Sequence, residues 1–383
     1  MSFTVLHTDP ATPARTGVLR TSHGEIRTPV FMPVGTQATV KTLSPEDLTS
    51  LGAEVILGNT YHLHIRPGTE IIRRAGGLHR FMAWNRPILT DSGGYQVFSL
   101  AKLRRITPEG VHFQSHVDGT PLFLGPREAM RIQHDLGSDI AMAFDECTPY
   151  PATREEARSS LDLTLDWARV CLDQPRAVGQ LLFGIVQGGM YEDLRQRSAA
   201  ELVALGFDGY ALGGLSVGEP QQDMSRVTRA TVPHLPDDRP RYLMGVGTPP
   251  QIVEAVAGGV DMFDCVLPTR VGRNGSAYTD HGMIQIKAGR FKEDFSPVDP
   301  TCTCTTCRTF TRAYLRHLLN VNEILGLHLM TVHNVHYYLT LMQRLRTAIE
   351  NDRMAAFHEQ FLTNYPLNDT PQKNEDPQCP TAR

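Results

Sequence analysis

The stretch that decides the fold runs from Asp261 to Gly275 and reads DMFDCVLPTRVGRNG. It begins as a short apolar run that predicts a buried strand, and Asp264 interrupts that run. A carboxylate inside a buried strand is costly unless it is paired or has a chemical role. Pro268 predicts the end of the strand, and a flexible cationic segment with Arg270 and Arg273 follows. The stretch therefore predicts either an Asp264–Arg270 ion pair or chemistry on a polyanion.

Strand and helix patterns alternate along most of the chain that precedes this stretch. The predicted strands lie within 30–35, 54–60, 87–94, 139–147, 180–189, 209–218, 241–247 and the opening stretch itself. Strand–helix repeats form parallel sheets with helical crossovers. About eight such strands favour an α/β fold of the (β/α)₈ barrel type over an open sheet.

Polar residues or glycines stand at the end of most of these strands. They are Asn59, Asp91, Asp145, Gln187, Gly213–Gly214 and Asp264. A barrel brings the carboxyl ends of its strands to one face, where active sites lie. We therefore expect these side chains around one mouth.

Composition excludes several classes of protein. The chain has 383 residues, 41% hydrophobic and 20% charged, which is typical of a globular protein. No apolar run approaches the roughly 20 residues that span a bilayer, and the polar, proline-containing start predicts no signal peptide, so we expect a cytoplasmic protein without a membrane partner. A net charge of −4 argues against a bulk nucleic-acid binder, so any RNA contact must use a local basic patch.

Three of the seven cysteines, Cys302, Cys304 and Cys307, form a C-x-C-x-x-C cluster. Reduced cysteines this close together indicate a Zn²⁺ site, which a fourth ligand would complete. The candidates for that ligand are His317, His328, His333 and His336. Because the cluster lies outside the predicted barrel strands, we expect a structural ion. The other cysteines, Cys147, Cys171, Cys265 and Cys379, are predicted to be core or surface thiols.

The segment LTDSGGYQVFSL (89–100) places Asp91 at a strand end before a glycine pair. The glycines let a flat ligand approach closely, and Tyr95 could stack on it. Asp145 and Gln187 add a carboxylate and an amide, and glycines leave backbone donors open. Together these groups suit a planar heterocycle with an amide edge, such as guanine. The structural alternative for Asp91 is a helix or turn cap.

His62-Leu63-His64 offers a different interpretation, because H-x-H at a barrel strand end can hold a catalytic metal. Such a site needs further histidines from later strands, where this chain has Gln187 and Gly214 instead. We therefore expect His62 to be structural.

The motifs DSGGYQVFSL, AFDEC, GIVQGG, ALGGLSVGE, YLMGVGTPP, FDCVLPTRVGRNG and CTCTTC…VHN together resemble the bacterial tRNA-guanine transglycosylases of queuosine synthesis. The resemblance spans about residues 3–360 in one order. It implies an irregular (β/α)₈ barrel with a zinc subdomain, working on tRNA as a homodimer. Strand patterns and the resemblance together predict an antiparallel cap (1–29), a catalytic barrel (30–275), a zinc-binding subdomain (276–335) and helices completing the barrel (336–364). The segment 365–383 lies outside the resemblance and is predicted to be a mobile tail because it is polar and proline-rich.

The resemblance also assigns roles to individual residues. It implies that Asp264 is the nucleophile and Asp91 the general acid/base, with Tyr95 and Met244 stacking on the base. The substrate-binding residues would be Asp91, Ser92, Gly93, Gly94, Tyr95, Asp145, Cys147, Gln187, Gly214, Leu215 and Met244. The RNA-binding residues would be Gly245, Val246, Gly247, Thr248, Pro249, Pro250 and Gln251, with Thr269, Arg270, Val271, Gly272 and Arg273. The zinc ligands would be Cys302, Cys304, Cys307 and His333.

The implied reaction exchanges guanine at the wobble position (34) of tRNAs with GUN anticodons, those for Asp, Asn, His and Tyr. Cys147 and Val217 resemble the bacterial pair that lines the base pocket, which favours 7-aminomethyl-7-deazaguanine (preQ1) as the incoming base. Exchange with retention needs a nucleophilic carboxylate and an acid/base carboxylate about 5 Å apart. The alternative is a non-catalytic tRNA-binding accessory subunit of the same fold, against which the presence of both Asp264 and Asp91 argues.

Overall fold

A computed structural model of the protein describes residues 2–100 and 104–365. Its strands are β1 Phe3–Thr8, β2 Arg15–Thr21, β3 Gly24–Thr28, β4 Val30–Gly35, β5 Ile56–Gly58, β6 Ile88–Thr90, β7 Arg104–Thr107, β8 Gly110–Gln114, β9 Pro121–Leu124, β10 Ile140–Met142, β11 Leu181–Val186, β12 Gly209–Leu212, β13 Arg241–Leu243, β14 Met262–Cys265, β15 Ser276–Thr279 and β16 Gly282–Gln285.

The α-helices follow the predicted alternation with the barrel strands. They are α1 Pro45–Ser50, α2 Thr60–Leu63, α3 Thr69–Arg74, α4 Leu78–Met82, α5 Gly94–Leu100, α6 Pro126–Leu136, α7 Arg154–Leu172, α8 Glu192–Leu205, α9 Gln221–Thr231, α10 Pro249–Ala257, α11 Leu267–Arg273, α12 Thr305–Thr309, α13 Arg312–Asn320, α14 Ile324–Glu350 and α15 Met354–Asn364. Ser44 and Thr153 begin α1 and α7 with capping boxes, in which side chain and backbone satisfy each other's free groups.

Eight parallel strands close into a barrel in the order β4-β5-β6-β10-β11-β12-β13-β14, with β14 pairing back onto β4. This confirms the predicted fold class. The closing register pairs Asp264 with Met32. Side chains alternate along a strand, so Met262 points into the barrel while Phe263 and Cys265 pack outward with the helices. The same alternation places Asp264 on the inner face.

The strands β1–β3 form the predicted antiparallel cap. The Asp261 carboxylate, fully buried, accepts from Arg15 Nε at 3.0 Å and Nη2 at 2.7 Å, and from the Arg241 amide at 2.7 Å. Asp139 accepts from the His23 ring at 2.8 Å and the His79 ring at 3.0 Å, and these rings stack 3.6 Å apart. Both acids precede barrel strands, so they attach the cap to the amino end of the barrel, opposite the mouth.

One local prediction is wrong. The segment after Pro268 is the helix α11 rather than a flexible loop, because a proline early in a helix removes only an amide that has no intrahelical partner. Between β6 and α6 the chain also forms a separate antiparallel sheet, β7-β8-β9. The predicted tail 365–383 lies outside the described residues except for Tyr365.

The 27-residue helix α14 runs unbroken from the metal-ligand candidates to the barrel. Its Asn334 amide donates to the carbonyls of Pro268 and Ser276, each at 3.0 Å. Its Tyr338 hydroxyl donates to the Gly247 carbonyl. Within 2–100 and 104–365, the helices are all too short or too polar to cross a bilayer.

We predict that Asp261→Ala lowers the free energy of unfolding by about 3–5 kcal/mol, because it leaves the buried Arg15 guanidinium without its carboxylate. Urea denaturation measures this loss. Arg20→Gln is the control: it breaks an exposed ion pair with Glu25 and should cost about 1 kcal/mol or less. Equal losses in the two variants would contradict the anchoring role of Asp261.

Candidate active site

Asp264 lies at the carboxyl end of β14 and is half-buried. Its Oδ1 accepts from the Tyr242 hydroxyl at 2.6 Å and from the Gly245 amide at 2.7 Å. Both donors belong to the neighbouring strand β13 or the turn after it. Among the described residues no salt bridge joins Asp264 to Arg270, so the ion-pair interpretation is wrong. The carboxylate is held by neutral donors, and Oδ2 has no such partner among the described residues.

Asp91 follows β6 and is buried. Its Oδ1 accepts from the Thr60 amide at 2.8 Å, and its Oδ2 accepts from Asn59 at 2.5 Å and Gln96 at 2.7 Å. The Thr60 contact satisfies a free amide at the start of α2, so Asp91 also serves as the predicted cap. Its donors come from the residue after β5, the first residue of α2 and the helix α5, which fixes the carboxylate in the mouth.

The two carboxyl groups sit in different electrostatic environments. Burial raises the pKa of Asp91 to about 6, against the hydrogen bonds from Asn59, Thr60 and Gln96, and the charge on Asp264 raises it further. Burial also raises the pKa of Asp264, while Tyr242 and Gly245 oppose that rise. A group with a pKa near the working pH can both give and take a proton. Asp91 therefore suits acid/base work, whereas both donors to Asp264 reach its Oδ1 and leave Oδ2 open to a ligand.

A third carboxylate, Asp145, lies buried after β10. It accepts from Ser92 Oγ at 2.9 Å and from Gln187 Nε2 at 2.8 Å. Gln187 is fully buried, and within residues 2–100 and 104–365 its Oε1 has no hydrogen-bond partner. A Cβ at Gly94 would lie 2.5 Å from the Asp145 carbonyl, so only glycine permits this approach. An unsatisfied buried oxygen beside a carboxylate predicts a ligand that carries N–H donors.

The loop after β12 forms another side of the same pocket. Gly214 has a φ of +64°, and a Cβ there would lie 2.4 Å from Gln187 Oε1. Leu215 and Cys147 are buried beside it, and burial raises the pKa of the Cys147 thiol well above its usual range. Glu219 accepts from the amides of 216–218, which closes the loop on itself. The close approach of Gly214 to Gln187, and the hydrogen bond from Gln187 to Asp145, place this loop beside these two residues.

The rim of the mouth is apolar and cationic. Tyr95 is 49% exposed, and Met244 is half-buried directly after the strand β13. The charge of Arg270 acts on Tyr95, so α11 faces this ring. Arg270 is exposed, whereas Arg273 is half-buried, and its Nη1 has no hydrogen-bond partner in the part of the chain that the structure describes. Burial and the charge of Arg270 lower the pKa of Arg273. Two adjacent uncompensated cations suit an anionic ligand.

The metal-ligand candidates converge outside the barrel. His333 Nδ1 lies 3.7 Å from Cys302 Sγ, 3.7 Å from Cys304 Sγ and 3.3 Å from Cys307 Sγ. Ligands around a tetrahedral zinc ion stand about 3.5 Å apart, so these four could hold one ion. His333 Nε2 contacts the Tyr278 carbonyl at 2.8 Å, which leaves Nδ1 free to ligate.

The other candidate histidines differ in their surroundings. His336 Nδ1 contacts only one of the three thiols, Cys302, at 3.5 Å, and His328 contacts the Thr42 carbonyl. His64 Nδ1 contacts Thr69, while burial and the charge of His116 lower the pKa of His62 to about 4. His333 is thus the histidine that completes the cysteine cluster.

Sequence reasoning missed three residues that shape the site: Tyr242, Gln96 and Arg195. Tyr242 stands at an inward position of β13, where a hydroxyl needs a partner, and the nearby strand-end carboxylate was the available signal. Gln96 follows Asp91 by about one helical turn, a spacing that brings side chains together. Arg195 lies in a helix, and nothing in its local sequence distinguishes it from exposed arginines.

The sequence profile of the family described as queuine tRNA-ribosyltransferase matches residues 9–367. The chain belongs to the queuine tRNA-ribosyltransferase family. Relatives named queuine tRNA-ribosyltransferase include a Pelotomaculum thermopropionicum protein, 56% identical over 365 residues, and a Moorella thermoacetica protein, 57% identical over 365 residues. These alignments cover 95% of this chain and 99% and 98% of the two relatives. The queuine tRNA-ribosyltransferases are tRNA-modifying transferases, and the chain is an enzyme of that class.

We predict that Asp91 makes stability depend on pH. Folding raises its pKa from 3.8 to about 6, so its contribution is complete below about pH 4 and is lost as pH rises through 6. The difference in unfolding free energy between wild type and Asp91→Asn should fall by about 3 kcal/mol over that interval. Urea denaturation at several pH values tests this. Parallel profiles for the two proteins would contradict the raised pKa.

We predict that Cys304→Ser lowers both bound zinc and thermal stability, because metal binding at such sites contributes folding free energy. Wild type should carry about one zinc ion per chain by elemental analysis. His336→Gln is the matched control and should keep the ion, since His336 contacts only Cys302. A metal-free wild type, or metal loss in His336→Gln alone, would refute the Cys302, Cys304, Cys307 and His333 ligand set.

Proposed function

We propose that the enzyme exchanges guanine at position 34 of GUN-anticodon tRNAs for preQ1, by double displacement, as a step of queuosine biosynthesis. The observation that carries this proposal is the pair of carboxylates in one mouth: Asp264 with an open oxygen and Asp91 with a pKa of about 6. A retaining exchange at an anomeric carbon needs one nucleophilic carboxylate and one that transfers protons.

In the first displacement, an Asp264 oxygen attacks C1′ of the target ribose. The bond from C1′ to the guanine nitrogen breaks, its electron pair leaves with the base, and protonated Asp91 supplies a proton to that base. The products are a ribosyl ester of Asp264 and free guanine. The hydrogen bonds from Tyr242 and Gly245 hold the carboxylate in place, which orients its other oxygen for attack.

In the second displacement, the incoming base gives a proton to Asp91, and its ring nitrogen attacks C1′. The ester bond breaks and Asp264 leaves as a carboxylate, so the configuration at C1′ is retained. Asp145 and Gln187 would bind the base, with the Gln187 Oε1 accepting one of its N–H groups. Ser92, Gly93 and Gly94 would line the pocket, the backbone around Gly214 and Leu215 would bind a further edge, and Tyr95 and Met244 would stack on the faces.

The identity of the incoming base is a finer part of the proposal. The relatives' names specify queuine, which is larger than preQ1. Cys147 is buried beside Asp145, and Val217 is half-buried in the loop that Glu219 closes. Side chains at both positions reduce the room for a bulky substituent, which favours preQ1. Exchange assays with guanine, preQ1 and queuine separate these alternatives.

The tRNA would bind across the cationic rim, with a nucleotide turned out of its stack so that C1′ becomes accessible. Segments 245–251 and 269–273 would contact the anticodon loop, as the resemblance implies. Gly245 already contacts Asp264, and Arg270 and Arg273, which lie close together on α11, supply positive charge. Contacts of this kind place the target nucleotide over the nucleophile.

Several further assignments belong to the proposal. The residues Cys302, Cys304, Cys307 and His333 would hold a structural Zn²⁺, which stabilises the subdomain without taking part in the reaction. Exposed apolar residues there, Tyr314, Val321, Ile324 and Leu325, support a homodimer. We retain the division into 1–29, 30–275, 276–335, 336–364 and 365–383, and the cytoplasmic location.

The alternative function is a non-catalytic tRNA-binding accessory subunit. It would need the RNA-binding segments but neither Asp264 nor Asp91 in reactive surroundings. The raised pKa of Asp91 and the unsatisfied Gln187 oxygen both serve chemistry on a base, and RNA binding alone requires neither. Exchange of labelled guanine into tRNA by the purified protein distinguishes the two functions.

We predict that Asp264→Asn abolishes exchange of labelled guanine while tRNA binding persists, because the amide keeps the shape and loses the negative charge. Wild type, tRNA and a slow-reacting base analogue should give a cross-linked band on denaturing gels, and Asp264→Asn should not. Asp91→Asn should slow exchange by about 10²–10⁴-fold, the usual contribution of proton transfer. A covalent band with Asp264→Asn would remove the nucleophile from this residue.

A further inference from the structure

Arg195, in the first turn of α8, is fully buried behind the base pocket. Its Nε donates to the Gly189 carbonyl at 2.7 Å and its Nη2 to the Gly213 carbonyl at 2.9 Å, while Nη1 lies 3.5 Å from the Val186 carbonyl. These carbonyls flank the two segments that carry Gln187 and Gly214. One guanidinium therefore joins two separate loops of the pocket.

The electrostatics of Arg195 are unusual for a structural residue. In the described part of the chain it forms no salt bridge, and the oxygens of the acid that influences it, Glu219, accept amides of their own loop. Burial lowers the pKa of the guanidinium to about 10, so it stays charged near neutral pH. A buried charge without a counter-ion is costly, and apolar packing would serve stability better. This cost indicates a need for the fixed geometry of the guanidinium.

That geometry reaches the pocket through close contacts between the loops. Gly188, at a φ of +137°, lies so near α8 that a Cβ would stand 3.0 Å from Arg195 Cγ. A Cβ on Gly213 would stand 2.7 Å from Gln187 Nε2. The side-chain amide of Gln187 thus packs against the backbone of 213–214. The backbone N–H of Gln187 donates to the Ser198 hydroxyl of α8 at 3.1 Å.

We propose that Arg195 is a positioning residue for base recognition, which sets the spacing between the Gln187 side chain and the 213–215 backbone so that both meet the base together. The inference rests on the proposed base exchange. Lysine at this position would keep the charge, but it lacks the planar fork that spans carbonyls of two loops. We therefore expect substitution of Arg195 to weaken binding of the base and to leave tRNA binding and attack by Asp264 unchanged.

The test compares wild type with Arg195→Lys and Arg195→Gln. We expect the Michaelis constant for free guanine to rise by about tenfold or more in both variants. The reason is that the Gln187 side chain and the 213–215 backbone lose the spacing at which both contact the base. The turnover number, and tRNA binding measured by gel shift, should stay within about twofold of wild type. The control is Arg197→Gln, which changes an exposed arginine two residues away and should leave all of these values within about twofold of wild type. Calorimetry of guanine binding provides a readout independent of activity.

A folded Arg195→Lys protein with an unchanged guanine Michaelis constant and unchanged guanine affinity would overturn the inference. A fall in the turnover number as large as the rise in the guanine Michaelis constant would assign Arg195 a general structural role and would also overturn the inference. Failure of both variants to fold would do the same. Absence of guanine exchange by the wild-type protein would instead refute the proposed function. Calorimetry with guanine on wild type and Arg195→Lys would then decide the positioning role alone.

Discussion

The hydrogen bonds that Tyr242 and Gly245 donate to Asp264 are the constraint on which the mouth of this barrel depends. A carboxylate on the inner face of a barrel strand loses most of its hydration, and something must replace the water. Neutral donors on the adjacent strand do so without quenching the charge, as an arginine would. Because both donors reach the same oxygen, Oδ1, the other carboxyl oxygen stays available to a ligand while the strand keeps its place in the sheet.

Buried carboxylates have different hydrogen-bond partners at the two ends of the barrel. At the amino end, Asp261 is neutralised by Arg15 and Asp139 by hydrogen bonds from two histidines, so every oxygen is committed. At the carboxyl end, Asp91 and Asp145 accept bonds from amides, hydroxyls and carboxamides, and Gln187 keeps an oxygen without a partner. The first arrangement favours a single rigid state, and the second leaves interaction free energy available to a ligand.

The sequence predicted the barrel well because eight strand–helix units leave few topologies, and the strand-end polar residues then had to meet. It also identified Asp264, Asp91 and the cysteine cluster, whose residue types are costly or unusual where they stand. It failed for the segment after Pro268, which is the helix α11 and whose Pro268 carbonyl accepts from Asn334 of α14, a residue far away in the chain. The donors to Asp264 and the loops held by Arg195 depend on the same kind of distant contact.

The pairing of β14 with β4 closes the ring through strands more than two hundred residues apart, Asp264 lying opposite Met32. During synthesis, β4 leaves the ribosome long before β14, the second strand with which it pairs, has been made. Until then β4 is an open sheet edge, which in general invites pairing with other chains. The preceding cap, tied to the barrel by contacts with β14 and α14, becomes fully anchored only at the same late moment. The barrel of this chain therefore closes late, and Asp264 takes its place opposite Met32 only after β14 has been made.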